Sequence, residues 1–248
     1  MAFAPVVRRP VSEAVFDDLR AAILSGRLGP GAALPSERVL SEQFAVNRHA
    51  VREALKRLQQ AGLVEVNHGG ATRVLDWRAT GGLDLLAHLP FALEDGPAPE
   101  VLRSVLEMRR SLGVDVARLA AQRAPVPLLA ALRDFAEDGA DPAGDLDGLG
   151  RRYEEIWQAL VAASDNVAYT LAYNSLLAGT SAVAQLSHEI FADEVRDLAA
   201  HAGLIAAVAA GDADAAAAQA DLLLHRTLAA VLAAGEPAPF RPEAPADA

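Results

Sequence analysis

Residues 34–62 read LPSERVLSEQFAVNRHAVREALKRLQQAG, and this stretch decides the fold of the first third of the chain. Leu34 precedes Pro35 and is biased toward extended backbone. Ser36 is a good N-cap, and Val39, Leu40 and Phe44 give the short helix behind it one apolar face. Ala45-Val46-Asn47 is a short break, and Asn47 can cap a further helix. In that helix Val51, Ala54, Leu55 and Leu58 face inward, while Arg48, Arg52, Lys56 and Arg57 are available to solvent. Gly62 ends it as a left-handed C-terminal glycine.

Outward from this stretch the pattern stays regular. Upstream, Val11, Val15, Leu19 and Ile23 recur every four residues, which predicts a first helix ending near Gly26. Gly29-Pro30-Gly31 then forces a turn. Downstream, Leu63–Val66 and Ala71–Leu75 flank the Gly-rich tip Asn67-His68-Gly69-Gly70, the pattern of a β-hairpin. Three helices and a hairpin make the winged helix-turn-helix plan. Its recognition helix presents its first turns to the base edges of the major groove. Asn47, Arg48, His49 and Arg52 lie on those turns, and arginine can bridge the two acceptors of guanine. The tip, with His68 and Gly69, is narrow enough for a minor groove.

The chain has 248 residues and carries −11 overall, but the charge is divided. Residues 1–80 hold 11 basic and 8 acidic side chains; residues 81–248 hold 11 and 25. A weakly basic head on a strongly acidic body fits a module that reads double-stranded DNA joined to something else. There is no cysteine, which excludes disulfides, thiolate metal sites and a Cys nucleophile. Lys56 is the only lysine, so a Schiff-base enzyme would need it. No nucleophile motif or Gly-rich phosphate loop appears, and the chain is not expected to be an enzyme. The N-terminus lacks the apolar core of a signal peptide. The longest uncharged stretch, Asn166 to His188, contains Asn174, Ser175, Thr180, Ser181 and Gln185 and reads as a helix buried in protein rather than in a membrane. The expected location is the cytoplasm.

From Glu100 onward the pattern is helical, with breaks at Pro125-Val126-Pro127, Gly139 to Gly150, and Gly211-Asp212. The expected fold is therefore mainly α: a winged helix-turn-helix domain over residues 1–76, a linker with a short helix (Leu83–Leu89) over 77–99, an antiparallel all-α bundle over 100–235, and a disordered tail over 236–248.

Residues 26–74 resemble the DNA-binding domain of GntR-family transcriptional regulators. The resemblance rests on Gly26-x-Leu28-x-Pro30-Gly31, on Leu34-Pro35-Ser36-Glu37-Arg38, on Val46-Asn47-Arg48-x-x-Val51-Arg52-Glu53-Ala54-Leu55, and on Leu58 with Gly62-Leu63-Val64. It implies a homodimer on a palindromic operator, with Arg38 also against DNA. The body is similar to the FadR subfamily, through Glu107-x-Arg109-x-x-Leu112, Leu160–Asn166 and His201-x-x-x-Ile205-x-x-Val208-x-x-Gly211-Asp212. That resemblance implies an all-helical domain for ligand binding and dimerisation.

Many members of this class hold a metal, through an Asp, a His four residues later and two further His, to anchor a small carboxylate. Here the first two positions hold Tyr153 and Trp157. His201 stands at the third position, and His225 is off the spacing of the fourth. Neither a metal nor a cofactor is expected. The subfamily also includes a regulator that takes long-chain acyl-CoA. A similar effector would use Tyr153, Trp157, Tyr169 and Tyr173 as an apolar lining, with Arg109 and Arg118 as anion partners and His201, His225 and Thr227 nearby. Trp157 reads equally as core or pocket lining, Tyr169 and Tyr173 read first as core or interface packing, and Arg109 can instead be the partner of Glu107 or Asp115. The alternatives are a metal-dependent, carboxylate-responsive regulator and a constitutive DNA-binding dimer without effector.

Overall fold

The computed structural model describes residues 10–66, 71–89, 99–125, 145–181 and 184–234. They form two compact units, residues 10–89 and residues 99–234.

In the head, α1 (Val11–Leu24), α2 (Glu37–Gln43) and α3 (Arg48–Gln60) pack through the expected faces, except that Val11, at the start of α1, is exposed. Val15, Leu19 and Ile23 of α1, Leu40 of α2, and Val51, Ala54, Leu55 and Leu58 of α3 are all buried. The two expected caps form. Ser36 Oγ accepts from Val39 N at 3.4 Å, and Asn47 Oδ1 accepts from Ala50 N at 2.9 Å. The sharp α2–α3 turn places Ala45 at φ 52.

The hairpin is shorter than the sequence pattern. β1 is Val64–Glu65 and β2 is Arg73–Val74, antiparallel, pairing Val64 with Val74 and Glu65 with Arg73. Leu63 N–H is taken by Leu58 O at 2.9 Å, closing α3, so the strand starts late. The Ala33–Leu34 segment adds to the other side of β2: Ala33 bridges Arg73, and Leu34 N donates to Thr72 O at 2.8 Å. The wing tip, including His68 and Gly69, lies outside the described residues.

Asp76 caps a one-turn helix, α4 (Trp77–Thr80), which docks on the end of α3. Thr80 Oγ1 lies 2.7 Å from Gly62 O. Gly62 has φ +69, and a Cβ there would stand 2.5 Å from Thr80 O. The expected helix Leu83–Leu89 is instead a 3₁₀ helix over Leu83–Ala87, with Leu85 buried.

The body is an all-α bundle of α5 (Pro99–Arg123), α6 (Leu146–Ala163), α7 (Val167–Ser181), α8 (Ala184–Arg196), α9 (Leu198–Ala209) and α10 (Ala213–Ala234). Its axis is the α5–α10 pair, where Ala117, Ala120, Ala216 and Ala220 are buried and let the two helices approach closely. Gly113 does the same further along: a Cβ there would meet Leu224 Cδ1 at 2.3 Å and the Trp157 ring at 3.0 Å. Ile156, Leu160, Leu204, Ile205, Val208 and Leu223 complete the core.

Three expectations change here. Asp145 caps α6 by accepting from Gly148 N at 3.2 Å, so Gly148 and Gly150 lie within a helix instead of a break. A break missed in the sequence falls at Asp197, which caps α9 by accepting from Ala200 N at 3.0 Å. The uncharged stretch is not one buried helix. α7 ends at Ser181, α8 follows from Ala184, and Val167 and Leu171 of α7 are 76% and 63% exposed. Among the described side chains, α7 packs inward through Tyr169, Tyr173, Leu176 and Leu177, with Val167 and Leu171 left in solvent. The tail beyond residue 234 lies outside the described residues.

Candidate functional site

On the head, the sequence-selected residues collect at the α2–α3 corner. Asn47, Arg48, His49 and Arg52 on α3 and Arg38 on α2 are exposed. Asn47 Oδ1 is committed to the cap, which leaves its amide N–H₂ outward. Two of the arginines are held by carboxylates. Arg38 Nη1 reaches Glu42 Oε1 at 2.7 Å, one turn along α2. Arg52 makes a fork on Glu37, with Nε–Oε1 at 3.1 Å and Nη2–Oε2 at 2.7 Å. The hydrogen bond from Arg52 draws the Glu37 carboxyl below its usual pKa, and the same bond raises that of Arg52. These pairs lie in water, where an ion pair is weak and exchangeable. The corner therefore presents exposed guanidiniums whose carboxylate partners can be exchanged for another acceptor.

In the body the chemistry lies around a cavity of about 360 Å³. Its wall is mostly apolar, from Val105, Leu112 and Val116 of α5, Val161 of α6, Leu176 and Leu177 of α7, Val195 of α8 and Leu224 of α10. Trp157, Tyr173 and Phe191 supply aromatic surface, and Arg109 and Tyr153 supply polar groups. One end is polar, with Asp147, Arg151 and Glu154 on the first turns of α6.

Arg109 does not pair with Glu107 or Asp115. Those acids face Arg103 and Arg118. Its partner is Glu194, 85 residues away and 1% exposed. Arg109 Nη1 donates to Glu194 Oε2 at 3.1 Å, and Nη2 donates to Oε1 and to the Tyr153 hydroxyl. Tyr153 and Thr227 also donate to the same carboxylate. Burial opposes the Glu194 charge, but Arg109 and these hydroxyls outweigh it and hold the carboxyl below its usual pKa. Burial likewise opposes the Arg109 charge, and Glu194 more than restores it. Tyr153 is pushed well above its usual value by burial and stays protonated. His201 Nε2–H donates to the Glu194 backbone carbonyl at 3.0 Å, its ring centroid 5.2 Å from that of Tyr153. Burial lowers its pKa and keeps it neutral.

Of the effector residues chosen from sequence, Arg109, Trp157 and Tyr173 line the cavity, and Tyr153 joins them. Burial pushes the Tyr173 hydroxyl up to about 12. Thr227 and His201 stand behind the wall as supports of Glu194. Arg118 and Tyr169 are elsewhere: both bond Asp115, at 2.7 and 2.6 Å. His225 is exposed on α10. Sequence reading missed Glu194 and Phe191. The available signal was the stripe Ile190-Phe191-x-x-Glu194-Val195, in which an acid interrupts the buried face of a helix.

These residues do not fit a metal. Among the described residues the one buried carboxylate, Glu194, is saturated by Arg109, Tyr153 and Thr227, and the His201 Nε2 nitrogen carries its proton to a carbonyl. Among the described residues no group of three or more His, Asp or Glu is placed to hold an ion, and no helix is long and apolar enough to cross a membrane.

Comparison with known proteins matches both units. Residues 11–74 fit the family described as bacterial regulatory proteins, gntR family, and residues 104–226 fit the FCD domain. The HTH-type transcriptional regulator Mce2R of Mycobacterium tuberculosis is 42% identical over 179 residues, covering 72% of this chain and 73% of that one. The chain belongs to the GntR family of regulators. It is a transcriptional regulator of the GntR/FCD type, with a DNA-binding head and an FCD body. The fatty acid metabolism regulator protein of Edwardsiella ictaluri is 35% identical over 156 residues, 62% of each chain. Among solved structures, Streptococcus agalactiae GntR is 26% identical, covers 89% of this chain and 98% of its own, and superposes with a TM-score of 0.42. Within this GntR/FCD chain, every residue that lines the cavity lies in the stretch matched by the FCD domain, and Thr227 of the buried network follows it directly.

Proposed function

We propose that this GntR/FCD regulator is of the FadR subfamily: a homodimer that binds a palindromic operator and is released by a small effector held in the FCD cavity. The observation that carries the reading is the cavity, with its apolar wall and four aromatic rings in the domain that GntR/FCD regulators add to the DNA-binding head. Its volume is at the small end for ligand cavities, so a large amphiphile would place only its apolar part inside. An acyl-CoA is the favoured class. The apolar wall suits an acyl chain, and the relative from Edwardsiella ictaluri is named for fatty acid metabolism. With Arg109 satisfied by Glu194 and Arg118 outside the wall, the exposed Arg151 at the polar end is the cation suited to an anionic head group.

On DNA, Arg48 and Arg52 are proposed to read bases, with Asn47 and His49 beside them. Arg38 is proposed to meet phosphate, and His68 and Gly69 the minor groove. Two-fold symmetry in the protein implies two-fold symmetry in the operator. Sedimentation on an operator selected from random DNA tests this reading. Two chains per duplex are expected, with release on addition of dodecanoyl-CoA. One chain per duplex, or no release, overturns it.

A further inference from the structure

Resting on the homodimer reading above, we propose that the outward face of α7, centred on Leu171 and Asn174, is the surface on which the body meets a second copy of this chain.

The first observation is a stripe. Val167, Leu171, Asn174 and Ala178 are all exposed, Val167 at 76% and Leu171 at 63%. Their spacing of four, three and four residues puts them along one side of the helix, the repeat by which one helix packs on another. Tyr169, Tyr173, Leu176 and Leu177 occupy the other side. The helix is anchored: the Tyr169 hydroxyl donates to Asp115 at 2.6 Å, and Asn166 Oδ1 accepts from Ala168 N at 3.1 Å. α10 offers the contrast. Leu222 is also exposed, but Asp221, His225 and Arg226 stand around it. A single exposed leucine among charges needs no partner.

The second observation is charge, and it selects the partner. Val167–Ser181 contains no Asp, Glu, Lys or Arg. Residues 81–248 hold 11 basic and 25 acidic side chains, so two bodies repel one another wherever their acids approach. In a two-fold contact the same patch faces itself, and an ionised group near the axis meets its own sign. An uncharged stripe is what such a contact requires, and interface cores are depleted of charge. DNA or an anionic membrane would need cations here, and a basic partner would need acids; the stripe offers neither. An antiparallel crossing between Leu171 and Asn174 sets Val167 against the partner's Ala178, large on small, and the polar Asn174 in the seam fixes the register. The inner side of the same helix lines the cavity through Tyr173, Leu176 and Leu177, so one helix separates the effector from the second copy.

Cross-linking and sedimentation of the full chain test this. The chain has no cysteine, so each single-cysteine variant reports one position. Leu171→Cys and Asn174→Cys are expected to join two chains through a short bismaleimide, and Leu222→Cys to leave them separate. Leu171→Glu should raise the dimer dissociation constant about a hundredfold or more, because it opposes two like charges in a desolvated contact. Its helical circular dichroism should stay intact, since the side chain is exposed in the single chain. Leu222→Glu should sediment as wild type. A Leu171→Glu dimer as tight as wild type, or no linkage at either α7 position, overturns the inference while the homodimer stands. Linkage in the Leu222→Cys variant alone moves the contact to α10 and overturns it as well. If the wild type sediments as a monomer throughout the micromolar range, the homodimer reading falls and the α7 assignment with it.

Discussion

In the head, Arg52 meets Glu37 at 2.7 Å with 66% of its side chain still in water; in the body, Arg109 meets Glu194 with that carboxylate wholly buried. The same two residue types thus make opposite devices. An exposed pair costs little to open, because water and salt already compete for it. Arg52 can leave Glu37 at little cost, and under the proposed reading that frees its guanidinium for an acceptor on DNA. A buried pair cannot be opened without leaving an unpaired charge in a low-dielectric interior. The Arg109–Glu194 pair therefore acts as a fixed wall, and the ligand must be recognised by shape and by the groups left over. The head presents its charge outward to an anion, and the body neutralises its charge before any ligand arrives.

The largest test of this contrast is removal of the acid on each side. Glu194→Ala should destabilise the body by about 3–5 kcal/mol, because Arg109 is left buried and charged. Replacing both Arg109 and Glu194 with methionine should recover much of that loss, since apolar groups of similar size often replace a buried pair without penalty. Glu37→Ala should leave the melting temperature unchanged. Chemical denaturation of the four proteins checks all three, and equal losses at Glu37 and Glu194 would erase the distinction.

Next in size are the head arginines. Arg48→Ala or Arg52→Ala should weaken specific operator binding by about one to two orders of magnitude if the residue makes a bidentate base contact. A residue that touches only phosphate should weaken all sequences alike and flatten the salt dependence. Fluorescence anisotropy on specific and scrambled duplexes separates the two. Wild-type affinity in both variants would displace the reading face from α3.

Gly62→Ala gives a smaller, purely structural effect in the head. The left-handed backbone alone costs about 1–2 kcal/mol, and the clash with Thr80 O adds to it. Thermal melting should show the head destabilised.

The smallest expected effect is the pH dependence from His201. Burial lowers its folded pKa below the ordinary 6.5. A base with a depressed pKa contributes its full stability above pH 6.5 and loses it as pH falls below that, where the unfolded chain takes up the proton first. Asp197 and Glu194 favour the charged form and Arg152 opposes it, which bounds the shift. His88 in the head behaves in the same direction, mainly through burial. Glu194 acts in a lower window, its stabilisation being lost only as pH falls below 4.5. Denaturation at pH 7.5 and 5.5 should show a smaller acid loss in His201→Phe than in wild type.

The head was legible because its determinants are local. Ser36 and Asn47 cap within three residues, Gly62 takes the left-handed turn expected of it, and the apolar faces of α1 and α3 repeat at helical spacing. The body was legible as helix and poorly legible as a site. Arg109 and Glu194 are 85 residues apart, and no local pattern joins them. The partners proposed from proximity, Glu107 and Asp115, lie on the helix of Arg109 itself, but helical rotation turns them to Arg103 and Arg118. The uncharged run at 166–188 misled for a related reason. Lack of charge permits burial without requiring it, and α7 leaves Val167 and Leu171 in solvent.

Linkage between operator and the proposed effector tests most directly whether the charged head and the neutralised body work as one switch. An effector that releases DNA must bind the free and DNA-bound protein with different affinity, and the coupling must be reciprocal. Calorimetric titration of dodecanoyl-CoA into the protein alone and into its operator complex measures both sides. The account predicts tight binding to the free protein, weaker binding to the complex, and an equal loss of operator affinity when dodecanoyl-CoA is saturating. Equal dodecanoyl-CoA affinity with and without operator would contradict it.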